Sequence, residues 1–205
     1  MLTTKIIVYS DLNCPFCFAL NEWLSEAKQA QLVSWRGIEH MPELVIGEIA
    51  DDNVRDDLIN EVGILNTRVE NIKLRVPDYR PNTSRALAML LAAEERCPEI
   101  APDLRMAVFR ALWRDNKDIS DPEVLQAIAG DYTGDLAGTA DTDFSAYALQ
   151  VERNTQEWRQ FDRIPTLKAP TGATYLGLGD QQALSVFLGS ALFDTERDFA
   201  CFPKS

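Results

Sequence analysis

Two thiols stand three residues apart in Cys14-Pro15-Phe16-Cys17, and that spacing carries most of the chemistry legible in this chain. On the first turn of a helix, side chains at i and i+3 lie on one face and can close a small-loop disulfide. The helix N-terminus contributes partial positive charge and unsatisfied N–H groups, which favour a thiolate at the first sulfur. A free thiol ionises near ~8.5, and Cys-X-X-Cys motifs bring this down to about 3.5–7.5. Cys14, at the cap position, is expected to be the exposed nucleophile. Cys17, one turn deeper, is expected to resolve the mixed disulfide. A zinc half-site would need a second Cys-X-X-Cys or a histidine pair, whereas Cys97 and Cys201 stand alone and His40 is the single histidine. No metal is therefore expected.

The elements around the pair fit this placement. Ile6-Ile7-Val8-Tyr9 is a short β-branched and aromatic run typical of a buried strand. A helical pattern follows from Cys14, with Phe16, Leu20, Trp23, Leu24 and Ala27 at spacings of three and four, and Pro15 where its missing N–H costs nothing. Val33–Ile38 then alternates as a second strand. After Asp51-Asp52 the series Val54, Leu58, Val62, Leu65, Val69, Ile72 keeps helical spacing, and Pro77 and Pro81 interrupt it. Further helices are expected over Thr83–Arg96, apolar almost all round, over Leu104–Arg114, from Ser120-Asp121-Pro122-Glu123, and along Phe144, Ala148, Val151, Trp158 and Phe161. Thr166–Ala169 and Thr174–Leu178 flank Pro170-Thr171-Gly172 as a hairpin, and Asp180–Leu192 closes the chain as a helix.

The order is β-α-β, a block of helices, then β-β-α. This is an α/β frame of the thioredoxin-like kind with an inserted all-helical domain, because neither half alone has strands enough for a stable sheet. The expected division is residues 1–75 and 160–205 for the thioredoxin-like part and 76–159 for the helical insertion.

A length of 205 residues suits such a fold, and 46% hydrophobic with 25% charged residues is ordinary for a globular chain. The formal net charge of −12 counts against a nucleic-acid partner, since neutralising phosphates needs clustered Lys and Arg. The apolar run near the start is too short for an export signal, and no stretch approaches the ~20 apolar residues of a spanning helix, so a cytoplasmic protein without a membrane partner is expected.

Asp11-Leu12-Asn13-Cys14-Pro15-Phe16-Cys17 resembles the active-site segment of the DsbA-like family, and especially its FrnE-like branch, which is related to 2-hydroxychromene-2-carboxylate isomerase and kappa-class glutathione transferase. Pro81-Asn82-Thr83-Ser84-Arg85-Ala86, Phe109-Arg110-Ala111-Leu112-Trp113 with Asp118-Ile119-Ser120-Asp121-Pro122, and Ile164-Pro165-Thr166 agree with the same branch. The likeness runs from about Lys5 to Leu192. It implies disulfide exchange or isomerisation on protein or peptide thiols, with no cofactor beyond the Cys14–Cys17 pair and with glutathione as a candidate reductant. It also implies that Pro165 is a cis-proline, and that Ile164 and Thr166, with Pro15 and Phe16, help hold a substrate strand against Cys14. Asn82 and Thr83 would be accessory residues where the insertion faces the site.

Other residues carry less. Asp11 could accept a proton or cap the helix, and capping is the expectation. His40 follows the second strand without a partner in sequence reach and is expected to be a surface or loop residue. Cys97 reads as an inert, partly buried thiol, and Cys201 lies near the C-terminus. Trp35, Trp113 and Trp158 are expected in the core. Two alternatives to protein disulfide chemistry remain open at this point. One is a glutathione-dependent isomerase or transferase of the kappa-like type; the other is a chaperone-like binder using the groove beside Pro165.

Phe16 stands where the best-known oxidising relatives carry histidine, which removes one source of thiolate stabilisation from the motif. The reduction potential of the pair is therefore predicted to lie well below the value of about −120 mV that marks a strong oxidant. Equilibration against glutathione buffers measures it, and a value near that mark would overturn the prediction.

Overall fold

The computed structural model describes residues 5–45, 52–69, 71–78, 80–132 and 145–193. Strand β1 (Ile6–Ser10) leads into helix α1 (Pro15–Glu26), and a short 3₁₀ turn precedes strand β2 (Val33–Gly37). Helices α2 (Asp52–Arg68), α3 (Ser84–Arg96), α4 (Ala101–Trp113), α5 (Pro122–Gly130) and α6 (Ser145–Trp158) follow. Strands β3 (Thr166–Lys168) and β4 (Thr174–Leu176) and helix α7 (Gln181–Phe193) complete the order. The strands lie side by side as β2-β1-β3-β4, with β1 parallel to β2 and antiparallel to β3. This is the thioredoxin fold with an inserted helical region, as the element order requires.

The register decides what meets the cysteines. Tyr9 pairs with Thr166, and continuing that register by one residue sets Pro165 opposite Ser10, at the end of β1 that leads to Cys14. The Ile164-Pro165 bond is cis. The hairpin turns where the Pro170-Thr171-Gly172 signal places it, with Gly172 at φ 91°, a left-handed conformation that favours glycine.

Helix α1 is buried on more than one face. Pro15 and the run from Cys17 to Leu24 are all buried, whereas Phe16 is half-buried and Ala27 is exposed. The expected single stripe is too narrow because the helix packs against both α2 and α4. Phe18 packs against Phe109 and Trp113, with ring centroids 6.1 and 6.3 Å apart. Glu22 is buried on α1, and both its oxygens are taken by α4 and its cap: Arg110 at 2.8 Å and Arg114 at 2.6 Å. A buried carboxylate without such partners would be strongly unfavourable, so this pair of arginines fixes α1 against the insertion.

Several boundaries differ from expectation for local reasons. Helix α4 begins at Ala101, before Pro102, because proline is tolerated in a first turn. Helix α2 stops at Arg68, so Ile72 lies beyond it. The start of α5 is capped by Asp121, whose side chain accepts from the Glu123 N–H. Trp158 is only half-buried, in contrast to buried Trp35 and Trp113, because its ring N–H reaches out to the Arg163 carbonyl at 2.8 Å. Phe144 and Cys201 lie outside the described residues.

Gly37, at the end of β2, sits under Trp35 and α3. A Cβ there would stand 2.6 Å from the Trp35 ring and 2.8 Å from Leu87. Gly37→Ala is predicted to destabilise the protein by about 1–3 kcal/mol through overpacking. Urea denaturation tests this, and an unchanged midpoint would contradict the packing described.

Candidate functional site

Cys14 is the N-cap of α1, with extended backbone (φ −109°, ψ 121°), and Pro15 opens the helix as its first residue. The Cys14 carbonyl accepts the first helical bond, from Phe18 N–H at 3.1 Å. Both thiols are free and buried, with Cys14 3% and Cys17 0% exposed. The depth of Cys17 agrees with expectation. The burial of Cys14 corrects it: the capping position is enclosed in the folded chain, with the chain before α3 bonded to the neighbouring Asn13, which sequence periodicity does not place.

The two sulfurs differ in charge preference. Burial pushes the Cys14 thiol up, but the Cys17 S–H donated to it, the positive charge of His40 and the Cys17 backbone N–H outweigh this against opposition from Glu61. The net result lies below the ordinary thiol value. Cys17 is driven well above that value, first by burial and then by its hydrogen bond and proximity to Cys14. The buried Ser10 hydroxyl, which has no conventional hydrogen-bond partner, and the Asp11 backbone act on Cys17 in the opposite sense. A nucleophilic thiolate beside a protonated thiol is the arrangement that disulfide exchange uses.

Asp11 does not cap α1, whose start has no side-chain cap. Its fully buried carboxylate instead joins three parts of the chain. Oδ1 accepts from the Leu12 N–H and from the Thr83 hydroxyl, both at 2.7 Å. Oδ2 accepts from the His40 N–H at 2.9 Å and pairs with His40 Nδ1 at 2.7 Å. His40 lies in the loop after β2 as expected, but it is not a free surface residue: its side chain is 16% exposed, and its partner lies 29 residues away in sequence. The Asp11 contacts hold the His40 pKa above the ordinary histidine value against desolvation, with Cys14 assisting and Arg80 opposing.

The insertion supplies the rest of the frame around the Asp11–Cys14 loop. Trp113 Nε1–H donates to the Leu12 carbonyl at 2.8 Å, and Asn13 donates to the Pro81 carbonyl at 3.1 Å. Arg80, 3% exposed, is ion-paired with Glu61 at 2.6 Å, and its Nε approaches the Asn13 carbonyl at 3.4 Å. Of the two accessory residues expected here, Thr83 touches Asp11 directly. Asn82 lies one step away, donating to the Leu44 carbonyl at 2.7 Å and accepting from Ser84 N–H and hydroxyl. On the sheet side, the Pro165 carbonyl accepts from Gly177 N–H at 2.8 Å and the Thr166 hydroxyl donates to the Arg163 carbonyl. Ile164 and Phe16 are half-buried. Cys97 caps the end of α3 as a partly buried thiol. His40, Arg80 and Glu61 were missed by sequence reasoning, because nothing in the spacing of three residues from three segments signals that they converge.

A protein-family model described as "DSBA-like thioredoxin domain" matches residues 5–162. Among solved structures, the chain is similar to a probable DsbA oxidoreductase of Streptomyces coelicolor, at 17% identity and a TM-score of 0.72 over 98% of this chain and 92% of that one. It is similar also to the cytosolic disulfide reductase DsbM of Pseudomonas aeruginosa, at 13% identity and 0.70 over 95% and 98% of the two chains. 2-Hydroxychromene-2-carboxylate isomerase gives 18% identity and 0.63 over 98% and 100%. Among curated protein sequences none matches. No helix among the described residues is long and apolar enough to cross a membrane.

The opposed thiol shifts lead to a spectroscopic prediction. The ultraviolet thiolate absorbance of the reduced protein is expected to rise below the ordinary thiol range and to be absent in Cys14→Ser. In Cys17→Ala the same step moves to higher pH, because the S–H donor is gone. Since the folded Cys14 value is depressed, its contribution to the stability of the reduced form is complete above the unfolded thiol value and is lost as pH falls through the folded one. An absorbance step at the ordinary thiol value, unmoved by either substitution, would contradict this.

Proposed function

The chain belongs to the DsbA-like thioredoxin family, and on that premise we propose that it exchanges disulfides on protein or peptide thiols through the Cys14-Pro15-Phe16-Cys17 pair. The observation that carries the proposal is the placement of the pair: Cys14 at the helix cap and Cys17 one turn deeper, both free and buried, in surroundings that lower the first thiol pKa and raise the second. Cys14 attacks a substrate disulfide and forms a mixed disulfide, and Cys17 then attacks the Cys14 sulfur and expels the second substrate thiol. An extended substrate segment lies beside the start of β3, against Ile164, Pro165 and Thr166 and next to Pro15 and Phe16. The helical insertion, residues 76–159 against a thioredoxin-like part of 1–75 and 160–205, supports the loop that carries Cys14. No cofactor beyond the cysteine pair is needed.

The likeness to a cytosolic disulfide reductase supports a cytoplasmic location, where the thiol poise keeps such a pair largely reduced and favours reduction or isomerisation over net oxidation. That relative has also been solved with glutathione, which supports glutathione as the reductant here. The burial of Cys14 favours a second reading, a glutathione-dependent isomerase or transferase of the kappa-like type acting on small organic substrates. A small thiol reaches a residue only 3% exposed more readily than a folded protein does, and the fold is shared with 2-hydroxychromene-2-carboxylate isomerase.

Insulin reduction in the presence of dithiothreitol separates the two. Wild type is expected to accelerate it and Cys14→Ser to lose the effect, while Cys17→Ala accumulates stable mixed disulfides on Cys14 that mass spectrometry identifies. A wild type inert toward insulin, with no trapped partner, would favour the small-molecule reading.

A further inference from the structure

His40 is the single histidine of the chain, and neither the motif nor the exchange steps above use it. Its placement is tightly specified. Asp11 Oδ2 accepts from both its backbone N–H and its Nδ1, and Asp11 Oδ1 is occupied by Leu12 N–H and the Thr83 hydroxyl. With Nδ1 committed to a buried carboxylate, Nε2 is the nitrogen that can gain or lose a proton. Asp11 is three residues before Cys14 on the same loop, so the carboxylate that holds the imidazole is rigidly tied to the nucleophile. Among the described residues, the other charged groups that act on the pair are Glu61 of α2, on Cys14, and Arg80 from before α3, on His40, and these two form an ion pair with each other at 2.6 Å. Glu39 lies within the field of Asp11 and is itself shifted toward its neutral form, first by burial. Among the described residues, the His40 imidazolium is therefore the cation that acts on the Cys14 sulfur.

We propose that His40, held by the Asp11 carboxylate, is a charge and proton partner of Cys14 supplied from outside the Cys-Pro-Phe-Cys motif. This rests on the exchange chemistry proposed above. In the reduced protein the resting state is Cys14 thiolate, His40 imidazolium and Cys17 thiol. When a substrate disulfide is reduced, its S–S bond breaks, the Cys14–Cys17 bond forms, and two electrons pass from the enzyme sulfurs to the substrate. The two product thiols need two protons: one comes from Cys17 and the other from His40. The reverse reaction returns both. Thr83, on the insertion, acts through Asp11 as a positioning residue.

Because there is one histidine, its proton NMR titration reads this site alone in tag-free wild-type protein. The His40 midpoint is expected to be higher in the reduced than in the oxidised protein, since oxidation removes the neighbouring thiolate. In parallel, the pH dependence of Cys14 alkylation by iodoacetamide is compared in wild type, His40→Gln and His40→Lys, each checked for fold by near-ultraviolet circular dichroism. His40→Gln is expected to move the alkylation midpoint upward, with the thiolate fraction below the midpoint falling about tenfold for each pH unit that the midpoint rises, and His40→Lys to restore the low midpoint. A purely structural Asp11–His40 clamp moves neither midpoint in a folded variant. Equal histidine midpoints in the two redox states, with an alkylation profile unmoved in His40→Gln, would overturn the inference while leaving the disulfide chemistry intact. If wild-type Cys14 and Cys17 never form a disulfide under mild oxidants, the function proposed above falls and this inference with it. Where His40→Gln does not fold, the wild-type titration alone decides.

Discussion

Four donors converge on the Asp11 carboxylate at the end of β1, and the geometry of the cysteine loop depends on them. A carboxylate with no solvent access is tolerated only when hydrogen-bonded and charge-compensated. Here the compensation comes from three separate segments: the adjoining Leu12 backbone, His40 after β2, and Thr83 at the start of α3. Each contact therefore costs more to break than an exposed one, because it would strand a buried charge. Cys14 follows three residues later, so whatever orients Asp11 also orients the Cys14 thiol.

The helical insertion has a role beyond covering the sheet. Backbone groups of the Asp11–Cys14 loop point away from any strand ladder and must find partners elsewhere. Trp113 from α4 takes the Leu12 carbonyl, and Arg80 and Pro81 from before α3 engage Asn13. Glu22, clamped by Arg110 and Arg114, fixes α1 against the same helix. Loop and helix are thus both referenced to α4, which keeps the helix cap and the sulfur it carries in register. The same enclosure buries Cys14 and separates the two thiols electrostatically: low polarity raises both, and only Cys14 receives donors and positive charge enough to offset it.

Much was legible in the chain itself because it is written in local rules. Two cysteines at i and i+3 behind a buried strand, with Pro15 between them, mark a helix start and a candidate redox pair whatever surrounds them. The β-α-β and β-β-α ends follow from period-2 and period-3.6 patterning and from the turn chemistry of Pro170-Thr171-Gly172. The buried face of α3 is readable from its run of alanines and leucines. Boundaries slip where a proline reads as a stop, as at Pro102, although a first turn admits it.

Partners distant in sequence were decided only by the tertiary structure. Asp11 and His40 are 29 residues apart, and Asp11 and Thr83 are 72 apart. Read locally, Asp11 is a helix cap and His40 a loop residue, since both types are common in those settings. Side-chain hydrogen bonds across elements leave no periodic trace, because they depend on how strands register and helices pack rather than on spacing along the chain. The burial of Cys14 has the same origin: local sequence places it at the mouth of a helix, and its enclosure comes from elements distant along the chain. The spacing of the two sulfurs at a helix start is a property of the sequence; their burial, their opposed charge preferences and the residues around them are properties of the folded chain.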